Sequence, residues 1–423
     1  MVVTGRLTWW NSRTDGESPD GRQHAGRPTT DRSRTLRRRT AAPGVRRRSP
    51  GEPPERARAR EHRVGTDQRG ERERSAMRHA VALSASVGEA THPNPNVGAV
   101  VLDRAGTVVG EGCHQQAGGP HAEVLALADA GDQARGGTVL VTLEPCAHTG
   151  RTGPCTDALL AAGVARVVYA VADPTPRAGG GADVLRAAGV QVEAGLLVQE
   201  TERANERWLT GVRLQRPFVV WKLASTLDGR VAAADGTSRW ISSAESRSDG
   251  HRLRAECDAI VAGVGTVLAD DPALTVRDAA GALVGEQPLR VVVDTHGRTP
   301  VGARVRDASA ATWVATADEL GTDAAGQVDL AALLSALHAK GRGLALLEGG
   351  PTLAGAFVRA GLVDRVVAYL APTLLGAGTA SLAGTGIGTL ADGVPLEVTD
   401  VTRCGPDVRV TARPVRPTTA QEA

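Results

Sequence analysis

A chain of 423 residues has room for two or three domains at roughly 150 residues each, which excludes a single small binding module. No apolar run approaches the roughly 18 residues of a membrane span, and five cysteines (Cys113, Cys146, Cys155, Cys257, Cys404) are too few, too scattered and odd in number for a secreted disulfide framework. The net charge of +2 hides an asymmetry, because residues 1–75 hold 19 arginines against 10 acidic residues while the remainder is acidic.

In that basic segment Arg37-Arg38-Arg39 and Arg46-Arg47-Arg48 sit among Pro, Gly, Ser and Thr without apolar periodicity. Residues 1–76 are therefore expected to form a disordered basic tail, unable to bury enough surface to offset the entropy of ordering. Beyond Trp9-Trp10 it lacks the interleaved aromatics of a nucleic-acid arm, its acids argue against a transit peptide, and it shows no secretory apolar region. The simplest expectation is that Met77 is the biological start and that the residues before it are translated upstream sequence. The scarcity of lysine, only Lys222 and Lys340, fits a GC-rich genome in which upstream DNA stays open. Removing the tail is then expected to leave activity and melting temperature unchanged.

From Met77 the pattern is that of an α/β domain. Met77 to Val87 has helical apolar spacing, and Val97 to Leu102 with Val108 to Gly112 reads as a hairpin. A helix over 122–130, a buried strand over 138–143, a helix over 156–162, a strand over 166–172, a helix over 182–188 and a short strand near Val190 follow. After a composition break at 211–217, strands are expected at 218–223, 259–261, 289–294, 312–315, 344–347 and 365–370. The domains are accordingly placed at 77–215 and 216–414, with a flexible C-terminus at 415–423.

The chemistry of the first domain gathers in His121-Ala122-Glu123, Pro145-Cys146 and Cys155. As bare patterns these are weak, but His121 and Cys146 both fall where a helix is expected to begin, and a helix N-terminus favours thiolate over thiol. Two thiolates and a neutral imidazole balance the charge of Zn²⁺ and leave a fourth position for water. Glu123 beside them is placed to move protons from the water to a ring nitrogen and to departing ammonia, the division of labour used by zinc nucleobase deaminases. Their second cysteine normally follows at an x-x-C distance, whereas here eight residues separate Cys146 from Cys155.

With that spacing, the chain resembles the bifunctional riboflavin-biosynthesis deaminase/reductase family. The resemblance rests on His92-Pro93-Asn94-Pro95-Asn96-Val97-Gly98, His121-Ala122-Glu123, and Leu143-Glu144-Pro145-Cys146 through Gly150-Arg151-Thr152 to Cys155. It extends through Lys222 to Arg230, Ala269 to Arg277, and Glu348-Gly349-Gly350-Pro351-Thr352-Leu353, and covers residues 77 to about 414. It implies a cytidine-deaminase-like α/β/α domain followed by a dihydrofolate-reductase-like α/β domain. The first would deaminate 2,5-diamino-6-(5-phosphoribosylamino)pyrimidin-4-one; the second would reduce its ribosyl group to ribityl with NADPH. Implied zinc ligands are His121, Cys146 and Cys155, with Glu123 as proton shuttle. Implied cofactor contacts are Ala224, Trp240, Thr266, Asp270, Thr295 and Gly350, Pro351, Thr352, Leu353, Ala354, Gly355, Ala356; implied substrate contacts are Ser238, Arg254, Leu274, Arg277 and Glu348. The implied partner is a small phosphoribosylaminopyrimidine in the cytoplasm, with neither nucleic acid nor membrane, and homo-oligomerisation is left open. An asparagine is usual in the family where this chain has Thr175.

The residues themselves leave alternatives. Gly349-Gly350-Pro351-Thr352 between a strand and a helix suits a cofactor phosphate but also a tight turn. No G-x-G-x-x-G dinucleotide fingerprint follows a first strand. Arg254 and Arg277 present forks that suit phosphate or are solvated surface groups, and Arg298 with Thr295 after the 289–294 strand is placed to meet a cofactor 2′-phosphate. His114 and His148 are substrate contacts or hydrogen-bonded loop histidines. Asn96 reads a pyrimidine edge or holds the Pro93–Pro95 turn. Cys113, Cys257 and Cys404 are expected to be buried small hydrophobes. The competing function classes are a nucleobase or tRNA deaminase with a nucleotide-binding C-terminal half, and a nucleic-acid-binding protein using the basic arm.

Overall fold

The run Thr138–Leu143 is apolar enough to be covered on both faces, as the inner strands of a partly parallel sheet must be, and it forms the centre of the first of two sheets. A computed structural model describes residues 54–415 apart from 89, 150–152 and 177, with side chains from residue 68 onward. The arginine runs of the tail, Gly150, Arg151 and Thr152 of the zinc-motif loop, and residues 416–423 lie outside the described residues. Residues Arg60–Ala423 cluster as one unit; the other, Met1–Ala59, falls almost wholly outside that description.

The first part begins with α1 (Pro54–Ser86), then β1 (Gly98–Leu102), β2 (Val108–Cys113), α2 (Ala122–Ala130), β3 (Thr138–Leu143), α3 (Cys155–Ala162) and β4 (Arg166–Val171). It continues with α4 (Gly181–Ala187), β5 (Gln191–Ala194), α5 (Val198–Ala204) and α6 (Glu206–Leu214). The strand order is β2-β1-β3-β4-β5, with β1 antiparallel to both neighbours and β3, β4 and β5 parallel. Val100, Leu140, Leu159 and Val167 are fully enclosed in its core. Helix α2 lies directly on β2 because the strand presents glycines there: a Cβ on Gly110 would stand 2.4 Å from the Ala126 carbonyl oxygen, and one on Gly112 2.6 Å from that of Ala122. This close approach sets the height at which α2 delivers His121 and Glu123.

The second part runs β6 (Phe218–Thr226), β7 (Arg230–Ala232), α7 (Ala244–Ala255), β8 (Ala259–Gly263), α8 (Val264–Asp270), β9 (Leu289–Val293) and β10 (Thr312–Ala315). It ends with α9 (Ala317–Leu320), α10 (Leu330–Ala339), β11 (Leu344–Leu347), α11 (Pro351–Arg359), β12 (Arg365–Ala371), β13 (Thr379–Ala380), β14 (Leu396–Cys404) and β15 (Asp407–Pro414). Six parallel strands in the order β10-β9-β8-β11-β6-β12 are extended by the antiparallel hairpin β15-β14, and β7 pairs separately with β13. Cores lie on both faces: Leu333, Leu337 and Phe357 on one, Ile260, Leu346 and Tyr369 on the other.

The chain changes sheets between α6 and β6, where a buried Arg216 grips Asp364 with bonds of 2.6 and 2.8 Å. Helix α6 touches both halves, since Arg207 reaches Asp258 at 2.6 Å and Asn205, just before it, exchanges two hydrogen bonds with the backbone of Asn96.

The expected strands stand close to where the apolar runs place them, whereas β7, β13, β14 and β15 lie where no strand was expected, and three other expectations differ. The first helix does not open at Met77: α1 carries across that position, and Glu73 and Ala76 are already buried. Glu73 pairs with the buried Arg166 of β4 at 3.2 Å, a long-range contact to which local periodicity is blind. No helix starts at Cys146, which sits in the loop after β3; Cys155, not Cys146, opens a helix. Cys257 is buried, but Cys113 and Cys404 are half-buried rather than enclosed.

Two candidate active sites

His121 caps α2, Glu123 lies in its first turn, and Cys155 opens α3. The strand β3 sends Cys146 toward both. The result brings His121 Nδ1 to 3.1 Å from Cys155 Sγ and 3.5 Å from Cys146 Sγ, with the two sulfurs 3.5 Å apart. The N-terminus of α3 also serves Cys146: the backbone N–H of Cys155 points at Cys146 Sγ at 3.5 Å. One imidazole and two thiols converging at such distances are the donor set of a tetrahedral zinc site with one position left over. Among the described residues they are the one His/Cys/Asp/Glu group so arranged.

The two sulfurs act on each other's ionisation. The hydrogen bond between the sulfurs, aided by His121, pulls the Cys146 thiol down to about 4, and the same bond together with burial holds Cys155 well above the ordinary thiol range. Glu123 is buried, and that burial pushes its carboxyl up to about 6, where a group exchanges protons readily near neutrality.

A cavity of about 690 Å³ opens over this cluster, walled by Asn94, His114, Glu144, His148, Asp173 and Trp208 among others. His114 is a hydrogen-bonded loop histidine that also faces the cavity: Nδ1 meets the Pro120 carbonyl at 3.0 Å and Nε2 the Asn94 amide at 3.2 Å. His148 has its Nδ1 buried there without a hydrogen-bond partner among the described residues. Asn96 instead holds its turn, donating to the Gly88 carbonyl and accepting from Thr91. Trp208 is a lining residue that sequence does not mark, since a lone tryptophan on an amphipathic helix reads as core.

The second site lies beyond the carboxyl ends of the parallel strands, the usual ligand crevice of such sheets. A cavity of about 760 Å³ is lined by Ala224, Trp240, Thr266 and Asp270 of the expected cofactor contacts, and by Ser238, Arg254, Leu274, Arg277 and Glu348 of the expected substrate contacts. Trp240 is 70% exposed, with the Arg247 guanidinium 4.5 Å above its ring. The Gly350 N–H bonds Thr266 Oγ1 at 3.1 Å, which ties the start of α11, with Pro351 and Thr352 in its first turn, to a lining residue, although none of Gly350 to Ala356 lines the cavity itself. Leu353 and Ala356 pack on the core, and Ala354 and Gly355 are buried. Thr295 stands outside this lining, its hydroxyl bonded to Gln327 at 3.1 Å.

Arg254 is not free for phosphate. Its Nε and Nη2 engage both Glu348 oxygens and its Nη1 the Thr275 carbonyl. Burial works to raise the Glu348 carboxyl, but Arg254 and then Lys222, at 3.8 Å, more than offset it and hold it at about 2. Arg277 spends Nε on Thr275 and Nη1 on Gly281.

Residues 71–171 match the cytidine and deoxycytidylate deaminase zinc-binding region, and residues 217–410 match the RibD C-terminal domain. The chain is 46% identical to riboflavin biosynthesis protein RibD of Mycobacterium tuberculosis over 334 residues, 79% of this chain and 95% of the relative. It is 43% identical to that of Escherichia coli over 355 residues, 78% and 96% of the two chains. Among solved structures, Acinetobacter baumannii RibD, form 1, superposes with a TM-score of 0.68 at 36% identity, covering 82% of this chain and all of that one. A diaminohydroxyphosphoribosylaminopyrimidine deaminase/5-amino-6-(5-phosphoribosylamino)uracil reductase from Thermotoga maritima superposes at 0.67 with 32% identity, covering 82% and 99%.

Proposed function

The chain belongs to the family of the riboflavin biosynthesis protein RibD, and we propose that its His/Cys/Cys cluster carries the deaminase reaction and its strand-end cavity the reductase reaction of that bifunctional enzyme. The deaminase-like and reductase-like domains follow one another as in the family. The first acts on 2,5-diamino-6-(5-phosphoribosylamino)pyrimidin-4-one, replacing its 2-amino group by oxygen. The second reduces the ribosyl group to ribityl with NADPH, giving 5-amino-6-(5-phosphoribitylamino)uracil.

His121, Cys146 and Cys155 hold the zinc, which when bound supplies a Lewis acid able to lower the pKa of water to about 7. Glu123 does the proton work. Its carboxylate takes a proton from the attacking water, passes it to the ring nitrogen, and returns one to the departing ammonia. His114 and Asn94, tied to each other, form the polar wall that orients the pyrimidine, and Trp208 from α6 offers an apolar face to it.

In the second site NADPH supplies the hydride. Ala224, Trp240, Thr266 and Asp270 bind and orient it, with Gly350, whose N–H is held by Thr266, and Pro351 and Thr352 opening α11 beside them, and Leu353 to Ala356 setting the helix behind. Ser238, Leu274 and Arg277 contact substrate, and Arg254 presents Glu348 to the sugar hydroxyls rather than taking the phosphate. The partners are this small phosphorylated pyrimidine and NADPH, soluble metabolites that support a cytoplasmic workplace; the acidic balance after residue 75 favours no nucleic-acid role.

The observation that carries the reading is the convergence of His121, Cys146 and Cys155 beside a buried Glu123 in one cavity. Incubation with the diaminopyrimidine substrate, following ammonia and NADPH together, tests it: ammonia release should precede NADPH loss in one-to-one ratio. Ammonia release with no NADPH loss would support the deaminase with a merely nucleotide-binding second half.

A further inference from the structure

Glu144 leaves β3 immediately before the Pro145-Cys146 turn. Its backbone N–H extends the β3–β4 ladder to the Val171 carbonyl at 2.9 Å, and the residue is only 8% exposed. The side chain bonds none of the proposed metal ligands among the described residues. Oε1 accepts from the backbone N–H groups of Gly180 at 3.1 Å and Ala182 at 3.0 Å, and Oε2 from that of Asp173 at 3.3 Å. One carboxylate thus holds both ends of the segment that joins β4 to α4.

That segment is a wall of the first cavity: Asp173, Thr175 and Ala178 line it together with His121, Glu123 and Cys146. The wall is braced internally, Thr175 donating to Asp173 Oδ1 from its N–H at 2.8 Å and its hydroxyl at 2.6 Å. Its far end is pressed onto the metal loop. A Cβ on Gly181 would stand 1.8 Å from the Pro145 carbonyl oxygen, so only glycine lets the first turn of α4 seat there. The Cys146 carbonyl in turn accepts from Thr156 N–H of α3 at 3.2 Å.

We infer that Glu144 is a positioning residue for the deaminase reaction: it clamps the Asp173–Ala182 wall at a fixed distance from the His121, Cys146 and Cys155 cluster and so sets the fit of the substrate. The inference rests on the deaminase reading of this cavity. Charge-assisted hydrogen bonds to backbone N–H groups are the strong ones, and three of them on one carboxylate leave a neutral isostere short. Glutamine supplies one oxygen and one NH₂, so at least one of the three N–H groups is left facing a donor. The wall then loosens while the ligands, none of which bonds Glu144 in the described structure, keep their places.

The test uses the full zinc-loaded chain as wild type, Glu144→Gln, Glu144→Asp and Thr175→Val. Glu144→Gln should raise the deaminase KM about tenfold with kcat within about twofold, keep one zinc per chain, and leave reduction of the deaminated intermediate unchanged. Glu144→Asp, which keeps the charge but is one methylene shorter, should fall between. Thr175→Val removes only the hydroxyl bond within the wall and should raise KM in the same direction by less, which keeps the test alive if a Glu144 variant folds poorly. Amide hydrogen exchange at Asp173, Gly180 and Ala182 should speed up in Glu144→Gln. KM unchanged with a lower melting temperature, or loss of zinc, would overturn the proposal, as would unchanged exchange at those amides. A wild-type chain that releases no ammonia would fail the deaminase reading instead, and the exchange measurement would still decide whether the clamp exists.

Discussion

Arg254 grips Glu348 through two parallel bonds, Nε to Oε1 at 2.7 Å and Nη2 to Oε2 at 2.8 Å. Both residues are largely buried, side-chain exposure being 19% and 9%, and Lys222, the other cation at the pair, lies over the Tyr369 ring. The cation therefore fixes the carboxylate within the second cavity, so that the proposed substrate contact there is an oriented anion rather than a free guanidinium.

The pair makes stability depend on acid. The Glu348 carboxyl is held at about 2 against an ordinary 4.5, so the unfolded chain takes up this proton first. The contribution is fully present above about pH 4.5 and is lost as pH falls toward 2, at roughly 1.4 kcal/mol per unit of pKa difference. Denaturant unfolding of wild type and Glu348→Gln should differ most above pH 4.5 and converge below it. A difference that does not change with pH would contradict this.

The N-terminal helix is part of the fold before Met77. A chain starting at Met77 loses Glu73 and leaves Arg166 with Glu193 alone, and should be less stable by on the order of 1–2 kcal/mol while retaining activity. A chain starting at Arg69 should melt with the full-length protein. Equal melting temperatures for the two truncations would show that the Glu73–Arg166 contact contributes nothing.

Zinc should be present at one per chain and fall to near zero in Cys155→Ser, with deamination lost and reduction of the deaminated intermediate retained. Cys257→Ser, outside the cluster, should keep the metal. Metal content by atomic absorption distinguishes these, and an unchanged value in Cys155→Ser would mean that another residue is the third ligand.

Cofactor choice is proposed to lie with the loop after β9, at Arg298 rather than at Thr295. Arg298 is exposed and among the described residues its side chain has no hydrogen-bond or ion-pair partner, while Thr295 is engaged with Gln327 and the Val328 N–H. Arg298→Ala should weaken NADPH binding about tenfold through loss of a charge-assisted contact to the 2′-phosphate, with NADH unchanged. Equal weakening of both by equilibrium fluorescence would remove the assignment.

What could be read without coordinates follows from the range of the physics involved. Buried strands such as Thr138–Leu143 and Leu344–Leu347 announce themselves as short apolar runs. The hairpin β14–β15 does not, because Leu396, Val398 and Val401 are exposed on an edge strand rather than alternating into a core. Helices α5 and α6 are hidden in a polar stretch whose apolar face is narrow. The meeting of His121, Glu123, Cys146 and Cys155 was legible through the family resemblance, since as bare patterns their spacing is weak and Cys146 opens no helix. The partner of Arg254 was not legible, since a cation 94 positions from its carboxylate looks the same in sequence as a solvated surface arginine. Glu144 escaped for the same reason: its partners are backbone N–H groups, which carry no sequence signal at all.

On the proposed function two chemistries run at two separate sites, and Glu123→Gln separates them. The amide keeps the size of the side chain but cannot accept the water proton, so deamination should fall by something like 10²- to 10⁴-fold with zinc still bound. Given the already deaminated intermediate, the same variant should oxidise NADPH at close to the wild-type rate. Reduction that collapses together with deamination, in a variant that keeps its zinc and its melting temperature, would mean that the two activities share one site.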